Sequence, residues 1–225
     1  MNGFSFDIVG FDLDGTLFDT IADLAAALNH VLARLGRAPL AVETVKPMIG
    51  RGGRHMLQRG LEATGSFDPG MLDSIYDEMI AFYEANIAHY SRPFPGLVEA
   101  LETLAARGVK LAIVTNKQER LAVKLVTELG LAARFQAVIG GDTLGPGNLK
   151  PSPALLHEMV RRCGGGRAAF VGDSILDVQA AKAAGIPVVA VSFGFPLQAV
   201  DTLAADAVID HFDRLLPALD RLASA

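Results

Sequence analysis

Apolar runs of three or four residues alternate along this chain with longer segments of helical periodicity, and Gly or Pro marks most of the changeovers. Ile8 to Phe11, Leu111 to Val114, Ala137 to Ile139, Ala168 to Val171 and Val188 to Val191 are almost wholly apolar, as strands covered on both faces are. Between them, apolar positions at helical spacing predict helices over Gly96 to Ala106, Glu119 to Leu129, Pro153 to Cys163 and Ile175 to Ala184. Gly108, Gly130, Gly164 and Gly185 stand where each would stop. The alternation predicts a Rossmann-like, three-layer α/β core: a parallel sheet with crossover helices on its two faces.

One connection is too long for that rhythm. Asp12 follows the first run and Thr115 the second, 103 positions later, far more than one crossover helix uses. The intervening residues are helical in pattern: Ile21 to Leu35 closed by Gly36, Arg54 to Ala63 closed by Gly65, and Met71 to His89 running toward Pro93. We read residues 18–91 as an inserted, all-helical cap domain, and residues 1–17 with 92–225 as the catalytic core. Phe18-Asp19 and Arg92-Pro93-Phe94-Pro95-Gly96 then form the two hinge strands between them.

Composition narrows the class of protein. Hydrophobic residues make up 51% and charged residues 20%, which excludes a disordered or low-complexity chain. With 20 Lys and Arg against 25 Asp and Glu, the net charge of -5 lacks the basic footprint of a nucleic-acid binder and turns attention to small molecules. The single Cys163 allows no internal disulfide, fits a reducing compartment and reads as an inert buried thiol. No run approaches the ~18 apolar residues of a membrane span, and Met1 to Asp7 lacks the basic and apolar regions of a secretory signal. The expectation is a soluble, cytoplasmic protein; nothing in the sequence sets its oligomeric state.

In open α/β sheets, ligands bind outside the carboxyl ends of the strands, so the residues after each apolar run carry the candidate chemistry. They are Asp12-Leu13-Asp14-Gly15-Thr16 after the first, Thr115-Asn116 after the second, Lys150 beyond the third, and Gly172-Asp173-Ser174 with Asp177 after the fourth. Four Asp against one Lys repel one another unless a cation joins them, and oxygen ligands select a hard one, Mg2+ first. A carboxylate beside Mg2+ can attack phosphorus while the metal and Lys150 offset charge on the oxygens and Thr115 donates a hydrogen bond. A second carboxyl can protonate the leaving oxygen. Asp12 and Asp14, two positions apart, suit that division of labour.

Asp12-Leu13-Asp14-Gly15-Thr16, Val114-Thr115-Asn116, Lys150-Pro151 and Gly172-Asp173-Ser174-Ile175-Leu176-Asp177 resemble, in order, the four motifs of the haloacid dehalogenase-like superfamily. Arg92-Pro93-Phe94-Pro95-Gly96 and Gly140-Gly141-Asp142-Thr143 resemble segments of its phosphoglycolate phosphatase branch. The resemblance implies that Asp12 is the nucleophile, Asp14 the general acid and then base, and Thr115, Asn116 and Lys150 the phosphoryl-binding groups. It implies Mg2+ held by Asp12, Asp173 and the backbone at Leu13-Asp14, with Ser174 and Asp177 in support, Asp177 orienting Lys150 or a metal-bound water. By the same analogy Asp14 points away from dehalogenases and transport ATPases.

The cap carries a glycine-rich cationic turn, Ile49-Gly50-Arg51-Gly52-Gly53-Arg54-His55. It lacks G-x-G-x-x-G spacing and follows no predicted strand, which argues against dinucleotide binding; its arginines are either solvated in a plain interhelical connection or turned to the substrate. Arg51 and Arg54 are therefore candidate binders of a substrate carboxylate. The five histidines, scattered with no i, i+4 pair, give no zinc pattern. The leading reading is a Mg2+-dependent phosphatase of a small phosphorylated metabolite, with 2-phosphoglycolate the first candidate. A phosphomutase of the β-phosphoglucomutase type would use the same motifs. A non-catalytic binding protein on this fold would most simply have lost Asp12, Asp14, Lys150 or Asp173, and all four are present.

Overall fold

The computed structural model describes residues 5–195 and 199–224; Met1 to Phe4, part of the N-terminal stretch read above, lie outside the described residues. Six strands form one parallel sheet: β1 (Ile8–Phe11), β4 (Lys110–Val114), β5 (Ala137–Ile139), β6 (Ala168–Gly172), β7 (Val188–Val191) and β8 (Ala207–Ile209). Their order across the sheet is β5-β4-β1-β6-β7-β8, so the chain builds outward on one side of β1 and then crosses to the other. β1 is thus the central strand, and its carboxyl end faces the crevice where such sheets bind ligands.

The period of two along each strand produces the layers. Val9, Phe11, Leu111, Ile113, Ala169, Val171, Val189 and Val191 share one core with helices α5 (Leu97–Ala106), α6 (Glu119–Glu128) and α9 (Leu215–Ser224). Their alternates Ile8, Ala112, Val114, Phe170, Val188 and Ala190 form a second core with α7 (Ala154–Arg162) and α8 (Ile175–Ala183). Gly10 belongs to this second face, and a Cβ there would lie 2.2 Å from the sulfur of Met159; glycine lets α7 approach β1. Glycine also stops helices as predicted. After α6, Gly130 (φ 72°) and Leu131 donate back to Thr127 and Val126 at 3.0 and 2.9 Å, closing the last turn in a Schellman motif.

Between β1 and β4 the chain leaves the sheet through β2 (Phe18–Asp19) and returns through β3 (Arg92–Pro93), which pair antiparallel, Phe18 opposite Pro93. The insert consists of α1 (Ile21–Arg34), α2 (Val42–Val45), α3 (Gly53–Thr64) and α4 (Leu72–Ala85), so it is all helical. Helix α4 ends four residues short of the predicted His89, where Asn86 donates its side-chain amide to the Phe82 carbonyl and occupies it. Asp23 in the first turn of α1 is buried and accepts bonds from Tyr90 N, Ser91 N and Ser91 Oγ at 2.7–3.1 Å. One carboxylate thereby fastens the start of the insert to its end.

Candidate active site

Asp12 is the first residue beyond β1, with its backbone N–H still donating to Val171 of β6. Leu13 turns into the core, and Gly15 makes the chain bend back at φ 83°. Any side chain at Gly15 would collide with Asp173, whose Oδ2 lies 2.3 Å from the Cβ position. Glycine here allows the first and fourth motifs to touch.

Lys150 holds the centre. Its ammonium is buried, and it donates to Asp12 Oδ1 at 2.7 Å, Asp177 Oδ1 at 2.6 Å and the Val114 carbonyl at 2.9 Å, using all three N–H groups. Burial alone would lower its pKa, but Asp12 and Asp177 outweigh that and raise it. Asp177, fully buried, is fixed by a capping box at the start of α8: Ser174 N and Oγ donate to Asp177 Oδ2 at 3.0 and 2.5 Å. Ser174 and Asp177 thus support Lys150 and do not face the open pocket.

One ammonium does not balance this cluster. Burial pushes the Asp12 carboxyl up to about 6 despite Lys150, and burial with Asp177 and Asp12 nearby pushes Asp173 well above the usual carboxylate range. Asp173 Oδ2 accepts only the Phe195 N–H among the described residues, at 2.6 Å, and makes no ion pair there. Ligand oxygens of Asp12, Asp173 and Asp177 can be taken within 4.8 Å of one another. An uncompensated, buried, all-oxygen donor set fits a hard divalent cation. Since Lys150 and Ser174 already occupy Asp177, Asp12 and Asp173 are the carboxylates left to hold one.

The Asp14 carboxylate points elsewhere, and the reason is a residue the motif reading passed over. Lys117, buried, donates to Asp14 Oδ1 and Oδ2 at 2.6 and 2.8 Å and to the Tyr83 hydroxyl of α4 at 2.9 Å. Thr20, which precedes α1 without capping it, donates its hydroxyl to Asp14 Oδ1 at 2.7 Å. Burial opposes the Lys117 charge, but Asp14 and Tyr83 outweigh it and raise its pKa; burial pushes the Tyr83 phenol up to about 12. The Asp14 side chain is thereby taken up, and at residue 14 only the backbone would be left for a metal, the arrangement the motif resemblance implies.

Thr115 is buried just past the end of β4, its N–H on the Ile139 carbonyl and its Oγ1 accepting from Lys117 N at 3.2 Å, which leaves the hydroxyl its own proton to donate. Asn116, expected on the substrate, is turned to the protein. Its Oδ1 accepts Lys150 N at 2.8 Å, and its Nδ2 donates to Lys150 O at 3.1 Å and to Gly50 O of the insert at 2.9 Å. The amide's partners are backbone groups, so Asn116 positions Lys150 and the cap turn. Gln118 completes the strip by donating to the Tyr76 hydroxyl of α4 at 3.1 Å. Residues 116, 117 and 118 each bind a different point of the insert, which seats it over the strand ends.

A cavity of about 540 Å³ lies between sheet and insert, with Asp12, Asp14, Thr115 and Lys117 at one end and Arg51 and Arg54 also on its wall. The two arginines are not equivalent. Arg54 is ion-paired with Asp73 and lies 5.7 Å from the Tyr76 ring centre, whereas Arg51 is exposed and makes no ion pair among the described residues. We expect Arg51→Ala to lower kcat/KM for a carboxylate-bearing phosphoester by about two- to fivefold, the equivalent of an exposed charge contact. Arg54→Ala should change it less; parallel loss on an uncharged ester would remove carboxylate recognition from this turn.

An acid-rich switch point, two buried lysines and a helical insert seated on the strand ends define a class of α/β hydrolases. The description haloacid dehalogenase-like hydrolase matches residues 9–191. A phosphoglycolate phosphatase of Agrobacterium fabrum is 40% identical over 212 residues, covering 93% of this chain and 90% of the relative. One of Caulobacter vibrioides is 43% identical over 207 residues, covering 91% and 86%. A crystal structure of a predicted phosphoglycolate phosphatase from Haemophilus somnus superposes with a TM-score of 0.89 at 30% identity, covering 94% of this chain and 97% of that one. The chain belongs to the haloacid dehalogenase-like hydrolase family, in its phosphoglycolate phosphatase-type branch, and is a phosphoric monoester hydrolase. Among the described residues, no helix is long and apolar enough to cross a membrane.

Proposed function

We propose that this enzyme is a Mg2+-dependent phosphatase of small phosphomonoesters, 2-phosphoglycolate first among them, acting through an aspartyl-phosphate. The observation that carries the reading is Asp12 at the carboxyl end of the central strand, held by Lys150 and set beside Asp173. The names of the Agrobacterium fabrum and Caulobacter vibrioides relatives support the choice of substrate.

A carboxylate oxygen of Asp12 attacks phosphorus, the bond from phosphorus to the ester oxygen breaks, and the leaving oxygen takes a proton from Asp14. To reach that oxygen Asp14 exchanges its contacts with Lys117 and Thr20 for the substrate. Asp14 then removes a proton from water, which attacks the acyl phosphate and releases inorganic phosphate. Lys150 and the Thr115 hydroxyl bind the phosphoryl oxygens as charge shifts among them. Asp12, Asp173 and the backbone at Asp14 would hold Mg2+, which would supply further neutralisation of the phosphoryl group. The insert seated on the strand ends narrows the access of bulk water, which slows random hydrolysis of the acyl phosphate.

Phosphate release from a panel of phosphorylated metabolites, with Mg2+ and with chelator, tests this. Release from 2-phosphoglycolate that chelator abolishes is expected. Conversion of β-glucose 1-phosphate to glucose 6-phosphate without phosphate release would overturn it in favour of a mutase. The metal assignment has its own readout. Asp173→Asn keeps an acceptor for Phe195 N but removes a buried charge, so the metal-free variant should melt higher than the metal-free parent. The parent should gain about 2.7 kcal/mol at Mg2+ one hundred times its Kd, and the variant should lose that gain together with activity. Equal Mg2+ shifts in both would remove Asp173 from the site.

A further inference from the structure

The cavity is larger than the proposed substrate needs. Three consecutive residues bind the insert, so the 540 Å³ is the space that remains with the lid seated. Even if each of the roughly nine non-hydrogen atoms of 2-phosphoglycolate took the ~30 Å³ of a liquid water molecule, about half the cavity would stay empty.

The wall contributed by the insert's helices has a chemistry of its own. Leu24 and Ala27 of α1, Met56 of α3, and Met79 and Ile80 of α4, all buried and apolar, make part of the cavity's lining, and Arg51, Arg54, Gln118 and Asp142 line the rest beside Asp12 and Lys117. The two hydroxyls on that side, Tyr76 and Tyr83, already accept N–H bonds from Gln118 and Lys117. Against those apolar side chains a sugar or other hydroxyl-rich leaving group would lose water and find only the two tyrosine O–H groups in return. An apolar leaving group would gain from every carbon it buried.

We propose that the enzyme also hydrolyses phosphomonoesters whose alcohol carries an apolar body of about four to eight carbons, seated between α1, α3 and α4. The proposal rests on the phosphatase reading above. In the reaction the bond from phosphorus to the ester oxygen breaks, the alcohol leaves with a proton, and water supplies the oxygen that completes inorganic phosphate.

The test compares ethyl, butyl and hexyl phosphate with 2-phosphoglycolate, all with Mg2+. For buried carbons, kcat/KM should rise by about three- to fourfold per methylene, placing hexyl phosphate at least tenfold above ethyl phosphate. Ala27→Phe, which fills the compartment, should bring the hexyl-to-ethyl ratio toward one; Ala27→Leu, a smaller insertion, should move it the same way if the phenylalanine variant does not fold. A flat series with 2-phosphoglycolate still hydrolysed overturns the proposal alone. So does a rising series whose ratio neither variant changes, since the alkyl chain would then lie elsewhere. No phosphate from any ester, 2-phosphoglycolate included, overturns the phosphatase reading beneath it.

Discussion

Asp12→Asn should leave a folded protein whose turnover is lower by roughly 10⁴-fold or more, the scale seen when a covalent nucleophile is removed. Asparagine keeps an oxygen to accept the Lys150 bond and relieves one of the crowded carboxylates, so stability should hold or rise. Phosphate release, with circular dichroism as the check on folding, measures both halves. Activity within tenfold of the parent would remove Asp12 from the nucleophile's role.

The second large effect is expected from Lys150→Met, and it concerns the fold as much as the chemistry. The ammonium is the single charged partner of Asp12 and Asp177 among the described residues, and all three side chains are buried. Removing one member of a buried ion cluster costs about 3–5 kcal/mol, because the charges left behind stay out of water. At about 2–4 °C per kcal/mol for a domain of this size, the metal-free melting temperature should fall by roughly 6–20 °C. Mg2+ should restore part of that loss by bringing positive charge back among the carboxylates, yet it should not restore turnover. A variant as stable as the parent without metal would mean that the cluster is far less charged than its geometry implies.

The sheet and its acidic ends were legible because they are written in short range. Runs such as Ile8 to Phe11 and Ala168 to Val171 carry no polar side chain, and each is followed within two residues by aspartate, a pattern that burial on both faces and a ligand crevice require. Strand β8 and helix α9 were not marked out: Ala207–Ile209 repeats the Ala-Val-Ile of β5 but is followed by Asp210-His211, with none of the candidate chemistry that drew attention to the other strand ends. Asp12, Asp14, Lys150 and Asp173 stood out by position. Lys117 stood beside Thr115 and Asn116 and could have been found as a lysine at the mouth of a buried strand. Tyr83 could not, since its link to Lys117 spans 34 positions and depends on how α4 lies over the sheet. Asn116 was placed among the phosphoryl-binding groups by the family resemblance; only the folded chain shows its side-chain amide bonded to backbone on two other segments.

The insert leaves and rejoins the core at two paired points, Asp19 beside Arg92, so as a length of chain it can be exchanged for another without disturbing the sheet. Its seating is recorded elsewhere, in the three residues that follow Thr115. A lid grafted from a relative would carry the walls of a new pocket but arrive on a foreign dock. Swapping specificity between members of this family therefore calls for two transplanted pieces, the lid and the tripeptide beneath it, inherited as a pair.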